Sequence, residues 1–364
     1  MRTRPIVWAI AAGFAVAMAM LVAWAQDAPA DPLQQTAQAL FQPLPEVMED
    51  PDRAFSDELV ELGKLLYYDP RLSLSGFVSC NSCHNLATYG VDNLPTSLGH
   101  RWAVGPRNAP TVLNAALHAA QFWDGRAADV EEQAQGPVLN PIEMAMPDAA
   151  YTIERLASMP GYVDAFAAAY PDHAEPLTYV NMADAIGAFE RTLTTPDRFD
   201  DFLKGDGDAL SELEREGLQV FVDYGCAGCH GGAGIGGTVF ARFGVVEAYW
   251  EATREFVTID SPTMPMDVGK FAVTQDPADL YVFKAPSLRN ITRTYPYFHD
   301  GSVWDLRDAT QIMSRVQLGR EITESDLDAL MAWYPTLEGD IPAHALQLPV
   351  LPASSLTTPR PSHR

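Results

Sequence analysis

Cys80-Asn81-Ser82-Cys83-His84 and Cys226-Ala227-Gly228-Cys229-His230 together contain every cysteine of this 364-residue chain. Two thiols three positions apart, followed at once by histidine, form the C-x-x-C-H pattern of covalent c-type haem attachment. The spacing has a chemical reason. The thiols add across the two vinyl groups on one porphyrin edge, and the next residue then presents an imidazole to the iron, histidine being the usual proximal haem ligand. Zinc would require further ligands, and neither motif is followed by a second nearby cysteine or histidine pair. A thioredoxin-like dithiol would sit in a βαβ context that is missing here. A disulfide-stapled protein is the remaining use of four cysteines. Two motifs that consume all the cysteines favour two covalently bound haem c groups over these readings.

Outward from the motifs the sequence repeats itself. Gly63-Lys64-Leu65-Leu66-Tyr67-Tyr68-Asp69 precedes the first and Gly217-Leu218-Gln219-Val220-Phe221-Val222-Asp223 the second. Ala109-Pro110-Thr111-Val112-Leu113-Asn114 leads to Phe122-Trp123-Asp124-Gly125, as Ala285-Pro286-Ser287-Leu288-Arg289-Asn290 leads to Phe298-His299-Asp300-Gly301, with the same offset from alanine to aspartate. The expected fold is mainly α, with two cytochrome c-like haem domains related by internal duplication. The expected boundaries are 1–25 for an export signal, 26–203 and 208–340 for the two haem domains, and 341–364 for a Pro-rich tail that wraps the surface or is disordered. Leu59, Leu62 and Leu66 share one helical face. Ser211 with Glu214 reads as a capping box opening the second copy's first helix, with Leu213, Val220, Phe221 and Tyr224 on its buried stripe. Residues 180–193 read as a further helix, 205–207 as a linker and 231–237 as a flexible glycine-rich loop.

Arg2 and Arg4, the apolar run over residues 6–23 and Ala23-Trp24-Ala25 have the form of a secretory signal, with an uncleaved anchor as the alternative. The rest of the chain is thus expected in the periplasm. With 48 acidic against 24 basic residues, a formal charge of −24, no nucleic-acid partner is expected, because phosphates demand a basic face.

The two copies differ where an iron needs a second axial ligand. Met313 lies thirteen residues after Asp300, and the same offset from Asp124 falls on Pro137. A thioether opposite histidine raises a haem's potential, whereas proline cannot ligate; the competing reading of Met313 is a core methionine. One electron-transfer haem and one haem whose far side can open would follow. His100, sixteen residues after His84, could cover the first iron reversibly or be an ordinary surface histidine. Glu143, in Asn140-Pro141-Ile142-Glu143-Met144, could serve an open iron as an acid–base group or be one of many surface acids. Trp123 stands where the second copy has His299; it could relay electrons or pack the core.

The stretches Asp92-Asn93-Leu94-Pro95-Thr96-Ser97-Leu98-Gly99-His100, Gly105-Pro106-Arg107-Asn108-Ala109-Pro110, Gln121-Phe122-Trp123-Asp124-Gly125-Arg126-Ala127 and Pro296-Tyr297-Phe298-His299-Asp300-Gly301 carry a resemblance. Over nearly its whole mature length the chain resembles the bacterial di-haem cytochrome c peroxidases. The resemblance implies an enzyme that reduces hydrogen peroxide to water with electrons from a small donor protein, a c-type cytochrome or a blue-copper protein. It makes His84 the proximal ligand of the peroxidatic haem, His100 its displaceable distal ligand and Glu143 the acid–base catalyst, with Phe122, Gln133 and Pro137 lining the distal pocket. It makes His230 and Met313 the axial pair of the high-potential haem, where electrons enter, and places Trp123 between the haems. It also implies a homodimer and an interdomain calcium ion held by Asn108, Thr294 and Pro296. The stretch between Phe240 and Phe271, with Trp250, Met264 and Met266, is longer than the resemblance leads one to expect. A di-haem electron carrier without peroxidase activity is one alternative. A protein-oxidising enzyme of the methylamine dehydrogenase maturation type is another; that type has tyrosine where Met313 stands.

Overall fold

The computed structural model describes residues 31–50, 54–256 and 266–362, and within them the chain is helical with one two-stranded sheet. The expected export signal and Met264 lie outside the described residues. Among the described residues no helix is long and apolar enough to cross a membrane. The helices that position the site are α1 (Pro32–Leu40), α2 (Asp57–Tyr68), α3 (Cys80–Cys83), α4 (Val130–Leu139), α5 (Tyr179–Glu190), α6 (Arg198–Leu203), α7 (Glu212–Asp223), α8 (Leu306–Met313) and α9 (Glu324–Trp333). Strands β1 (Phe240–Arg242) and β2 (Val282–Lys284) pair antiparallel, Phe240 opposite Lys284.

Helix α2 starts where the Ser56 hydroxyl accepts from Leu59 N–H, with Asp57 and Glu58 in the first turn to suit the dipole. Its Leu59, Leu62 and Leu66 are buried, as their periodicity predicts. It crosses α5 at Gly63, where a Cβ would stand 1.8 Å from the Ala185 carbonyl oxygen. Helices α7 and α9 cross in the same manner: a Cβ on Gly217 would meet the Ala329 oxygen at 2.1 Å. Each glycine of the repeated pre-motif segment thus lets two helix backbones touch. Gly217→Ala should force α7 and α9 apart and cost about 1–3 kcal/mol, the usual range for overpacking. Thermal unfolding checks this; an unchanged midpoint would show that the crossing yields freely.

The capping box at α7 is present, Ser211 Oγ accepting from Glu214 N–H and Glu214 Oε2 accepting from Ser211 N–H. The stripe differs from expectation. Gly217, Leu218 and Phe221 form its buried part, while Leu213 is 48% exposed, because the contact with α9 is made at Gly217, one turn further on. The helix expected over 180–193 stops at Glu190. Residues beyond it stay buried but take other partners: Leu193 O accepts from Asn114 N–H, and Thr195 Oγ1 accepts from the side chains of Asn114 (2.8 Å) and Asn290 (2.9 Å).

Two cores result. One gathers Leu62, Leu66, Tyr67, Leu156, Tyr162, Phe166 and Phe189. The other gathers Leu218, Phe221 and Trp333, together with Ala37 and Phe41 from the N-terminal arm and Phe199 and Phe202 from α6. Residues before position 203 therefore pack into the second core, so the sequence boundary at 203 does not coincide with the division between the cores. Residues 231–237 are not a flexible loop. Ile235 is fully buried, and Gly236 and Gly237, both at positive φ, lie where a Cβ would strike the Pro286 oxygen (2.3 Å) and the His118 ring (2.1 Å). Glycine is used there for close approach. The tail wraps the surface of the first unit as far as residue 362: Tyr68 Oη donates to Ala345 O, Arg71 to Ser354, Ser158 to Thr358, and Ser362 N–H to Leu74 O.

Candidate active site and haem-attachment motifs

The first motif forms a single turn of helix, α3, opened by Ser79, whose N–H donates to Ser82 Oγ. His84 follows as its C-cap, its N–H bonded to Cys80 O. His84 Nδ1 lies 2.9 Å from Pro110 O. A carbonyl only accepts, so Nδ1 carries the proton and Nε2 is left free to ligate a metal. The second motif repeats the device: His230 N–H donates to Cys226 O, and Nδ1 lies 3.0 Å from Pro286 O. Burial keeps both imidazoles neutral, holding His84 below the usual histidine range and His230 at about 4, the form a metal requires. Burial also pushes the thiols up, Cys83 and Cys226 to about 11 and Cys80 further. A redox dithiol works through a depressed thiol pKa, so that reading of the motifs loses its support. Among the described residues no three His, Cys, Asp or Glu side chains converge as a zinc site would need. The donor set fits two covalent haems.

The far side of the first motif is built from α4 and the loops at its ends. Glu143 Oε1 accepts from Asn140 Nδ2 at 2.6 Å. Burial raises its carboxyl above the ordinary glutamate value, only partly opposed by Arg126 and Asn140. His100 is buried, and its N–H donates to Glu143 O at 2.7 Å. Gly99 permits that approach, since a Cβ there would lie 2.1 Å from Ile142 O. A cavity of about 430 Å³ opens against Glu143 and is walled by Phe122, Arg126, Gly136, Pro137, Asn140 and Tyr179, among others. Of the sequence candidates, Phe122, Pro137 and Glu143 share this cavity. Gln133, on the same helix, does not line it; Gln135 does. Arg126, stacked 3.4 Å over the Phe122 ring, and Asn140 were not singled out from the sequence. Both sit in segments that were, Asn140 three residues before Glu143.

A family model described as di-haem cytochrome c peroxidase matches residues 57–208. The chain is 48% identical over 339 residues to cytochrome c551 peroxidase of Pseudomonas aeruginosa, covering 92% of this chain and 94% of the relative. It is 45% identical over 306 residues to cytochrome c551 peroxidase of Nitrosomonas europaea, covering 83% and 86%. The chain belongs to the di-haem cytochrome c peroxidase family. It is a di-haem c-type enzyme of the cytochrome-c peroxidase class. Among solved structures, a MauG-like protein associated with microbial copper homeostasis is similar with a TM-score of 0.71 at 28% identity, covering 84% of this chain and 97% of that one. The diheme peroxidase BthA from Burkholderia thailandensis E264 shares the fold, with a TM-score of 0.63 at 20% identity over 84% and 93% of the chains.

Around the family's second motif, Met313 closes α8 where the helix widens into a π-turn over Ser314–Leu318. It is half-buried and belongs to none of the apolar cores, which weakens the reading of Met313 as a packing residue. Trp123 lies between the halves. Its Nε1 donates to Asn108 O, its carbonyl accepts from Lys284 N–H, and its ring meets His299 edge-on with centroids 6.3 Å apart. Asn108 is buried, and its amide donates to Leu94 O, leaving Oδ1 as the oxygen a cation could use. The segment of Thr294 and Pro296 is tied to the same neighbourhood through Asn93, whose amide donates to Tyr295 O and Arg293 O.

Proposed function

We propose that this enzyme reduces hydrogen peroxide to water in the periplasm, with electrons from a small redox protein entering on the His230/Met313 side and Glu143 moving the proton at the His84 side. The observation that carries the reading is the Glu143 carboxyl, raised by burial, oriented by Asn140 and facing a cavity beside Phe122, Arg126 and Pro137. Two covalent haems supply the electron transfers when bound. His84 and His230 hold them through Nε2, and the cysteines fix their edges. Glu143 would take a proton from one peroxide oxygen and return it to the other, which would then leave as water. A group with a raised pKa suits both halves of that transfer. Asn140 keeps the carboxylate aimed, and Arg126 offers positive charge to a peroxide anion.

His100 is the displaceable cover. Its loop is joined to Glu143 by a backbone hydrogen bond, so removing the cover and aiming the acid are coupled. The repeated Pro110 and Pro286 contacts, the paired glycine crossings and the shared Thr195 anchor support an origin of the two haem domains by internal duplication. Asn108, Thr294 and Pro296 are the proposed calcium ligands at the junction, Asn108 through Oδ1 and the proline through its carbonyl. We place two such chains in a homodimer.

The decisive experiment measures peroxide turnover by the half-reduced, calcium-loaded protein with absorption spectra recorded alongside. A reduced His/Met haem beside a high-spin ferric haem, with rapid peroxide loss, is expected; two low-spin haems inert to peroxide would make the chain an electron carrier. His100→Gly should consume peroxide without prior reduction. A requirement for pre-reduction equal to that of the wild type would remove His100 from the gating role.

A further inference from the structure

Glu190, the last residue of α5, is 4% exposed. Among the described residues its carboxyl takes part in no ion pair and no hydrogen bond. The charged groups on the elements around it are engaged elsewhere. Lys64 of α2 lines a cleft with His344. Arg191 is held by Glu131 of α4 at 2.6 Å, and Arg155 donates to the Arg71 and Ser73 carbonyls. Asp184, on the same helix as Glu190, accepts from Tyr170 Oη. A buried carboxylate without a partner is costly. Burial, aided by the like charge of Glu131, accordingly raises the Glu190 carboxyl to about 8.

Its surroundings belong to the first motif. The charge of Glu190 acts on Cys80 and on Tyr67. Phe189, its neighbour in the helix, meets Tyr67 edge-on with centroids 5.4 Å apart, and Tyr67 Oη donates to His84 O at 2.6 Å. The second copy has the same construction with different chemistry. Helix α9 meets Gly217 of α7 through Ala329 and Trp333, as α5 meets Gly63 of α2 through Ala185 and Phe189. The residue after Trp333 is Tyr334, buried and close enough to Cys226 to feel its charge, as Cys80 feels that of Glu190. Burial keeps the Tyr334 phenol neutral. One copy thus has an acid where the other has a neutral side chain.

We propose that Glu190 is a redox-linked proton site of the haem attached by Cys80, Cys83 and His84, and that its carboxylate disfavours the reduced state of that haem. Reduction adds one negative charge near the carboxyl, and a proton taken up by Glu190 offsets it. The ferric haem carries the more positive charge, so Glu190 gives up its proton more readily beside it than beside the ferrous haem. The potential therefore falls as pH rises through the interval between those two proton affinities. Above it Glu190 is ionised in both states and keeps the potential low; below it Glu190 is neutral and without effect. Attachment turns the thiols into thioethers, which no longer ionise, and leaves Glu131 and Tyr67 as titratable neighbours. Glu131 is paired with Arg191, and burial keeps the Tyr67 phenol protonated. A low potential on the His84 side keeps the first electron on the His230 side. The inference thus adds to the peroxidase reading but rests only on haem attachment at the first motif.

The test is a spectroelectrochemical titration of the full-length holoprotein that resolves the two haems, repeated over about pH 5 to about pH 10 so as to span the ordinary and the raised glutamate values. In the wild type the reduction equilibrium of the His84 haem should fall about tenfold toward the alkaline end, about 59 mV for one electron, with a smaller change at the His230 haem. In Glu190→Gln that fall should be lost, and the His84 potential should keep at every pH the value the wild type shows in acid. Reduced-minus-oxidised infrared spectra of the wild type should show a protonated carboxyl band gained on reduction, and Glu190→Gln should lack it. Should Glu190→Gln fail to retain its haems, Glu190→Asp must displace both that band and the pH at which the potential falls. A fall of wild-type size in Glu190→Gln, an equal fall at the His230 haem, or an infrared band indifferent to these substitutions overturns the assignment. None of these readouts requires peroxide turnover, so failure of the peroxidase reading would leave them interpretable.

Discussion

Glu143→Gln is expected to lower peroxide turnover by about 10²–10⁴-fold, the span that a positioned acid–base group contributes, with both haems still attached. Glutamine has the shape of glutamate and keeps an oxygen for Asn140 Nδ2, which now bonds Oε1 at 2.6 Å. The cavity beside Phe122 and Pro137 should therefore persist, and only the exchangeable proton is lost. The pH profile supplies an independent check. Burial raises the Glu143 carboxyl, so the wild-type enzyme should lose its base form, and its rate, at a higher pH than an ordinary glutamate would impose. That acid limb should vanish in Glu143→Gln. Turnover within a factor of three of wild type, with the acid limb intact, would assign the proton transfer elsewhere.

Arg289→Ala is expected to destabilise the protein by about 3–5 kcal/mol, the cost of breaking a buried ion pair by removing one partner. The Arg289 side chain is fully buried. It donates to Asp197 at 2.5 Å, to Asp200 at 2.7 Å and to Ala233 O at 3.0 Å, and both carboxylates are buried as well. Without it, two neighbouring carboxylates face each other out of water at the start of α6, beside the loop that leaves His230. Denaturant unfolding of the haem-loaded protein measures the loss. Replacing Asp197 and Asp200 by asparagine in the Arg289→Ala background should recover part of it, because the stranded charges are then gone. A loss below about 1 kcal/mol would mean that water reaches the cluster.

Sequence reasoning reached what depends on local chemistry. The Ser211 cap and the Leu59, Leu62, Leu66 face are properties of neighbouring residues, and each stands in the structure as its pattern predicts. What it missed depends on partners distant in the chain. Residues 231–237 read as flexible from their glycines alone, and only the approach of Pro286 and His118 shows that the glycines are there for contact. Leu213 read as buried from periodicity, which cannot say where along a helix its partner crosses. Lys284 has no local signal, since nothing in its neighbours shows that the segment is placed against Trp123, whose carbonyl accepts from Lys284 N–H. At the candidate site the sequence singled out Glu143 and His100 but not their backbone hydrogen bond, nor Arg126 and Asn140, whose roles follow from the shape of the cavity.

The path of residues 343–362 over the first unit has a consequence for biogenesis. A stretch that emerges late in synthesis clasps segments that emerged well before it, through Ala345, Ser354, Thr358 and Ser362. A chain cut short before Ala343 would carry both attachment motifs and accept both cofactors. Yet it would leave Tyr68, Arg71 and Leu74 without those partners. Synthesis of residues 343–362 is thereby recorded in the firmness of a much earlier part, where a protease scanning for loose ends could read it.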